Sequence, residues 1–184
     1  MKKIAIVNVL PFLLVAFLLS SCAEEPKYPE ATNEDAVLAM EDVLLVSGTS
    51  MFLLFEAEEA AQGEMTNDSE SVRLAWENGS GENSSATYTI SLAEHTIGSD
   101  SVFASDYNGY EMSGTIVLSS EGTGTNKMDA DLHMSHETPD DFPVRRLVME
   151  LSGSQEEDGR VVPSGSLTIN GREVDLALMS AAFE

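Results

Sequence analysis

Positive charge is scarce in this chain. Nine Lys and Arg stand against 32 Asp and Glu in 184 residues, a formal charge of −23. So acidic a molecule repels polyanions, which argues against nucleic acid and anionic lipid headgroups as partners. Cysteine is scarcer still, because Cys22 is the only one. One thiol excludes an intrachain disulfide and a multi-cysteine metal site, so packing must supply the stability. Catalytic signatures are also missing. No Gly-x-Ser-x-Gly elbow occurs, and none of the three histidines has an evident nucleophile partner along the sequence. No enzymatic activity, cofactor or metal is expected. Beyond residue 20, no run reads as long and apolar enough to span a bilayer. Apolar residues nevertheless make up 42% of the chain, too many for a wholly disordered acidic protein. The acidity reads first as a solvated surface suited to a salty medium, and second as an attraction for cations or a basic partner.

The start of the chain is patterned differently. Lys2 and Lys3 precede an apolar stretch from Ile4 to Leu19, and Ser20 and Ser21 follow. Charge, apolar core and small residues in that order make a secretory signal peptide. The apolar stretch, roughly 16 residues with Asn8 and Pro11 inside, falls short of the about 20 a spanning helix needs. The run Leu19-Ser20-Ser21-Cys22 resembles the lipobox of bacterial lipoproteins. That resemblance implies diacylglycerol on the Cys22 sulfur, cleavage that leaves Cys22 first, and fatty acyl chains such as palmitate holding the protein to a membrane. Two or more chains anchor firmly. Ala23 and Glu24 replace the aspartate that often marks inner-membrane retention, which implies a cell-envelope protein at the outer membrane. The expected organisation is a signal peptide at 1–21, the lipidated Cys22 with a tether at 22–32, and a single acidic domain at 33–184. The tether carries Pro26 and Pro29 and no apolar period. Ten extended residues reach about 30 Å.

From Asn33 the pattern is helical to about Ala61. Thr32 or Asn33 can cap the helix, and Glu34 and Asp35 suit its positive end. Val37, Met40, Leu44, Ser47, Met51, Leu54, Phe55 and Glu58 recur at helical spacing, and Leu38, Val43, Leu45, Val46, Phe52 and Leu53 widen the stripe. A belt so broad predicts a helix covered on more than one side. Gly48, Thr49 and Ser50 predict a bend or break. A polar linker, Gly63 to Glu70, follows.

The period then becomes two. Val72, Leu74 and Trp76 share one face, as do Tyr88, Ile90 and Leu92, and then Tyr110 through Leu118 at alternate positions. Met128 to Met134, Leu147 to Leu151, Leu167 to Ile169 and Val174 to Leu178 continue the alternation of half-buried strands. Asn78-Gly79, Asn108-Gly109, Asp158-Gly159 and Asn170-Gly171 mark turns, the last being the strongest hairpin signal. The fold class is α+β. One N-terminal helix packs against a curved antiparallel meander of seven to eight strands, a half-barrel or barrel-like sheet. Ser113-Gly114-Thr115-Ile116 and Ser164-Gly165-Ser166-Leu167 read as recurrent strand chemistry, not as an internal repeat.

The polar clusters have plain readings. His133 shares a polar face with Asp129 and Asp131, whereas His136 falls on the opposite face or in a loop, so the two do not converge on a metal. Glu137, Asp140 and Asp141 are loop acids without calcium-loop spacing. Asp106-Tyr107-Asn108-Gly109 with Glu111 reads as a hairpin turn. Glu94-His95 reads as a polar strand end, and Arg145-Arg146 as a salt-bridge pair. The sequons at Asn67, Asn78 and Asn83 read as turn residues.

The leading expectation is a non-enzymatic envelope lipoprotein, an interaction or structural module held to its membrane by lipid, whose protein partner the sequence does not name. The alternative is a carrier or sensor of a lipid or other apolar ligand held between helix and curved sheet. That architecture is similar in outline to bacterial lipoprotein-handling proteins of the LolA/LolB kind. Methionines 40, 51, 112, 128, 134 and 149 either line such a pocket or fill the core. A cation-binding or hydrolytic domain using the acidic loops is the third reading.

Overall fold

A computed structural model describes residues 29–55, 61–78, 85–121, 125–155 and 161–175. The Leu19–Cys22 lipobox, most of the tether and the expected strand positions Leu176 and Leu178 lie outside the described residues.

Helix α1 spans Asn33–Ser50. Thr32 caps it with a reciprocal pair of bonds. Its hydroxyl accepts from the Asp35 N–H at 3.1 Å, and the Asp35 carboxylate accepts from the Thr32 N–H at 2.7 Å. The helix stops earlier than its periodicity predicts. A 3-10 turn, Met51–Phe55, replaces the expected continuation. At the break, the Thr49 hydroxyl donates to the Leu45 and Val46 carbonyls and competes with the helical ladder.

The face that α1 buries matches the expected stripe at Met40, Val43, Val46 and Ser47 and departs from it at Leu44 and Leu45. Ala36, Ala39, Met40, Val43, Val46, Ser47 and Ser50 are buried, while Leu44 and Leu45 are exposed. Small side chains let the helix settle close to a concave sheet, and the larger leucines are turned away. Ser47 meets its buried polar requirement locally, donating to the Val43 carbonyl at 2.7 Å. By length and composition alone, Asn33–Leu54 is apolar enough to cross a membrane, contrary to the expectation for segments beyond residue 20. Its small-residue face nevertheless joins the core of the domain.

Eight strands follow in one antiparallel meander, each paired with the next: β1 Gln62–Thr66, β2 Val72–Asn78, β3 Ala86–Ile97, β4 Tyr110–Glu121, β5 Thr125–Ser135, β6 Arg146–Gln155, β7 Val161–Ile169 and β8 Arg172–Val174. The sheet is curved and does not close, so β1 and β8 are its edges. The predicted helix on a curved sheet is therefore the observed fold. Strand β1 lies where the sequence reads as polar linker. With Met65 its one large apolar residue, it has no alternation to detect, and it is specified instead by pairing with β2. The Trp76 ring lies over Gly63, where any Cβ would meet it at 2.3 Å.

Curvature has identifiable causes. Between Leu92 and His95 the β3 register slips by one residue against β4, a bulge with Glu94 at φ 48°. The Ser113 hydroxyl accepts from the Glu94 N–H at 2.9 Å. Beside it, Gly114 adopts φ 138°, and a Cβ there would lie 2.2 Å from the Asp131 carbonyl oxygen. Gly165 does the same at φ 133°, with the Glu150 carbonyl 1.9 Å from any added Cβ. The two Ser-Gly strand segments thus share one job, since glycine kinks let neighbouring backbones approach and coil the sheet. Glu94 and His95 occupy this bulge within β3, not a strand end.

A short helix, α2 Val102–Asp106, was not legible in the sequence. Ser101 caps it, and the Gly109 N–H returns to the Ala104 carbonyl at 2.7 Å, with Asn108 and Gly109 at positive φ. Asp106-Tyr107-Asn108-Gly109 is consequently a helix C-terminus rather than the expected hairpin turn. Asn170-Gly171 does form the predicted hairpin, between β7 and β8, with φ 50° and 80°. The Asn170 carboxamide also accepts from the Arg145 and Arg146 N–H groups and donates to the Pro143 carbonyl. Gly79 and Asp158-Gly159 lie outside the described residues.

Candidate functional site: an apolar cleft

Strand register sorts the concave face into transverse rows. One row runs Val72, Leu92, Gly114, Leu132, Leu147 and Ile169. The next runs Leu74, Ile90, Ile116, Ala130, Met149, Leu167 and Val174. Apart from Gly114, which carries no side chain, both rows are buried. A third row runs Trp76, Tyr88, Leu118, Met128 and Leu151. Here Tyr88, Leu118 and Leu151 are only half-buried, because α1 ends at Ser50 before it covers them.

The uncovered row forms the floor of a cleft of about 360 Å³. Met51, first residue of the 3-10 turn, lines it from the helix side, and Tyr88, Leu118, Met128 and Leu151 line it from the sheet. Ser120, Asn126 and Gly153 form the polar lip. Strand alternation sends the Ser119, Lys127 and Ser152 side chains to the outer face, so these residues border the cleft through backbone. Consistent with this, the Ser152 and Ser164 hydroxyls bond to each other at 2.8 Å on that face. The volume is the room of roughly a dozen waters at about 30 Å³ each, and also that of a medium-length acyl chain. Two of the six methionines in question, Met51 and Met128, do line the pocket, whereas Met40, Met112, Met134 and Met149 fill the core.

The other end of the concave face is plugged. Phe103 meets Tyr107 and Tyr110 edge-on at centroid distances of 5.2 and 5.6 Å, and Phe142 packs against all three rings. Beneath them Asp42 is buried on α1. Its carboxylate accepts from Tyr110 Oη at 2.9 Å and Ser101 Oγ at 3.0 Å, which ties α1 to the cap of α2 and the start of β4. Burial pushes this carboxyl above its ordinary value, and the two hydrogen bonds oppose the shift. Tyr110 is pushed strongly upward by burial and by the Asp42 charge. Sequence reasoning missed Asp42. Its signal is an acid set between the helical positions Ala39, Val43 and Val46, where an apolar face calls for none.

The three histidines do not converge. His133 is exposed beside Asp129 and Asp131 on the outer face, as predicted. His136 is half-buried and fully bonded: Nδ1 accepts from the Thr138 N–H at 3.1 Å, and Nε2 lies 2.6 Å from the Tyr107 carbonyl. In the neutral ring that pattern puts the proton on Nε2, and the ring stacks on Phe142. His95 has a neighbour the sequence did not reveal, Ser71 Oγ at 2.9 Å from Nδ1. The Ser71 hydroxyl also meets Ser69 and the Asn67 carboxamide, and Asn67 Oδ1 accepts from the Val72 N–H. This chain of hydroxyls staples the β1–β2 turn to the β3 bulge. Burial holds the His95 imidazole below its ordinary value.

Glu137, Asp140 and Asp141 are exposed in the β5–β6 connection. Among the described residues no group of three His, Asp or Glu side chains stands where it can hold a metal ion. A polar hollow of about 350 Å³ lies nearby, lined by residues such as Thr96, Glu111, Ser135 and Glu137. Arg146 forms the expected ion pair, bidentate to Asp131 at 2.9 and 2.7 Å, and holds that carboxyl below its usual range. Arg145 donates to the Pro139 carbonyl.

No protein-family model, curated protein or solved structure matches the chain.

Proposed function

We propose that this protein is a non-catalytic binding module that holds an apolar ligand, one acyl chain in size, in the cleft between the 3-10 end of its helix and the sheet. One observation carries the reading: the apolar row Tyr88–Leu118–Met128–Leu151 continues the core but is left half-covered by a helix that stops short. Exposed apolar surface of this kind marks ligand or partner sites. Tyr88 adds a polar handle at the lip, its hydroxyl 3.4 Å from Asn78 Oδ1. The flexible thioethers of Met51 and Met128 suit a ligand of variable shape. Carriage or sensing of such a ligand is the role, and attachment to an envelope membrane through Cys22 is part of the proposal.

Native mass spectrometry of the purified chain, with titration of the apolar dye N-phenyl-1-naphthylamine, tests it. A co-purifying lipid mass or saturable dye fluorescence is expected. Leu118→Trp, which fills the cleft, should weaken dye binding at least tenfold. A bare mass together with dye fluorescence indifferent to Leu118→Trp would sink the reading. Attachment is tested separately. Cys22→Ala should abolish fatty-acid labelling, and labelling that persists refutes the anchor.

A further inference from the structure

The lip of the cleft is polar without being charged, in a chain of 32 acids. Strand register places Asn78, Ala86, Ser120, Asn126 and Gly153 in a fourth row, beyond the half-buried floor and on the same face of the sheet. Asn78 Oδ1 accepts from Tyr88 Oη at 3.4 Å. Ser120 and Asn126 stand opposite each other where β4 turns into β5, and both border the cleft. Among the described residues neither of these two side chains is engaged in a hydrogen bond within the chain. Beside Asn126, Gly153 carries no side chain and leaves a notch in the row.

We propose that this lip binds the uncharged, hydroxyl-bearing head of a single-chain lipid, a monoacylglycerol in chemical class, whose acyl chain lies on the apolar floor. The inference rests on the cleft holding an apolar ligand and adds the chemistry of that ligand's head. Hydrogen-bonding capacity decides it. A carboxamide and a hydroxyl together both donate and accept. A glycerol hydroxyl does the same, whereas a carboxylate only accepts and an ammonium only donates. Charge agrees. The connections that follow the 3-10 turn, β2 and β6 carry seven acids and one base, Arg160, and each meets a strand at this end of the sheet. An anionic head is therefore repelled. Lys127, the charged residue among those bordering the cleft, does so through backbone and is itself engaged. A cationic head is attracted from a distance but would give up its hydration beside a row that holds no carboxylate.

Displacement of N-phenyl-1-naphthylamine from the purified chain tests it, with monolaurin, laurate and dodecyltrimethylammonium as competitors, each below its micelle-forming concentration. High salt screens the long-range field, and mildly alkaline pH keeps laurate ionised. Monolaurin should displace the dye at concentrations at least tenfold lower than either ion. Asn126→Lys should shift that preference toward laurate at least fivefold, and Ser120→Ala combined with Asn126→Leu should erase most of it. Direct dye affinity and the melting midpoint by circular dichroism should stay close to the parent in both, which separates the head site from the apolar floor. Either ion displacing the dye as readily as monolaurin overturns the proposal and leaves the apolar cleft standing. So does a monolaurin preference that the lip variants do not alter. Absence of saturable dye binding to the parent overturns the cleft, and this inference with it.

Discussion

The two ends of the concave face are built from the same strands and finished in opposite ways. At one end Phe103, Tyr107, Tyr110 and Phe142 interlock beside Asp42, which α1 contributes. At the other, Tyr88, Leu118 and Leu151 continue the same apolar pattern, with Met51 facing them among the described residues. The difference comes from the cover rather than from the sheet. A helix that breaks at Gly48–Ser50 shields two rows and leaves the third half-buried. On the proposed reading, stability belongs to the plugged end and binding to the open one.

Truncation on both sides gives the largest contrast. Phe142→Ala removes a fully buried ring from the plug and should cost about 3–5 kcal/mol. Leu118→Ala, in the half-covered row, should cost only about 1 kcal/mol. Urea midpoints measure both, and equal losses would break the distinction between the ends. Gly114→Ala comes next. Its Cβ would collide with the Asp131 carbonyl in a backbone conformation that L-residues avoid, so a loss of about 2–3 kcal/mol is expected. The same variant should also flatten the sheet and reduce dye uptake by the cleft; unchanged uptake would detach the kink from the site.

Tyr110→Phe deprives the buried Asp42 carboxylate of a donor and should cost about 1.5–3 kcal/mol. It should also raise the Asp42 carboxyl further. Since folding raises this group above its ordinary value of 3.8, the folded state binds its proton more tightly. Stability contributed by the protonated form is lost as pH climbs from that value through the folded one. Asp42→Asn removes this loss, so its stability relative to the parent should improve with rising pH across that window. A pH-independent difference in urea midpoints would rule the account out. The smallest effect belongs to the outer surface. Arg146→Ala breaks an exposed, solvent-screened ion pair and should leave the urea midpoint nearly unchanged, with dye binding unchanged.

Most of the sheet was legible because burial of one face writes a period of two into the sequence. Val72–Trp76, Tyr88–Leu92 and Met128–Met134 fell where strands are, and Asn170-Gly171 turned where its left-handed preference demands. Strand β1 and helix α2 were not legible. The first has too few apolar residues to show a period, and the second is too short, held by the Ser101 cap and the bond to Asp42. In α1 the large residues misled. The sequence weights leucine by hydrophobicity, but a concave sheet selects the face of Ala36, Ala39 and Val43 by size. The cleft residues were each recognisable as strand apolar positions, and none as a site.

Composition and periodicity thus determined the acidity, the single thiol, the helix-then-strands order and which strand side chains face inward, because these are local consequences of burial and charge. Tertiary structure alone decided where the helix stops relative to the rows beneath it, which of its faces is buried, and that Asp42, Ser101 and Tyr110 meet. Those depend on distances between segments far apart in the chain, set by a bulge and two glycine kinks whose effect appears only when the strands pair.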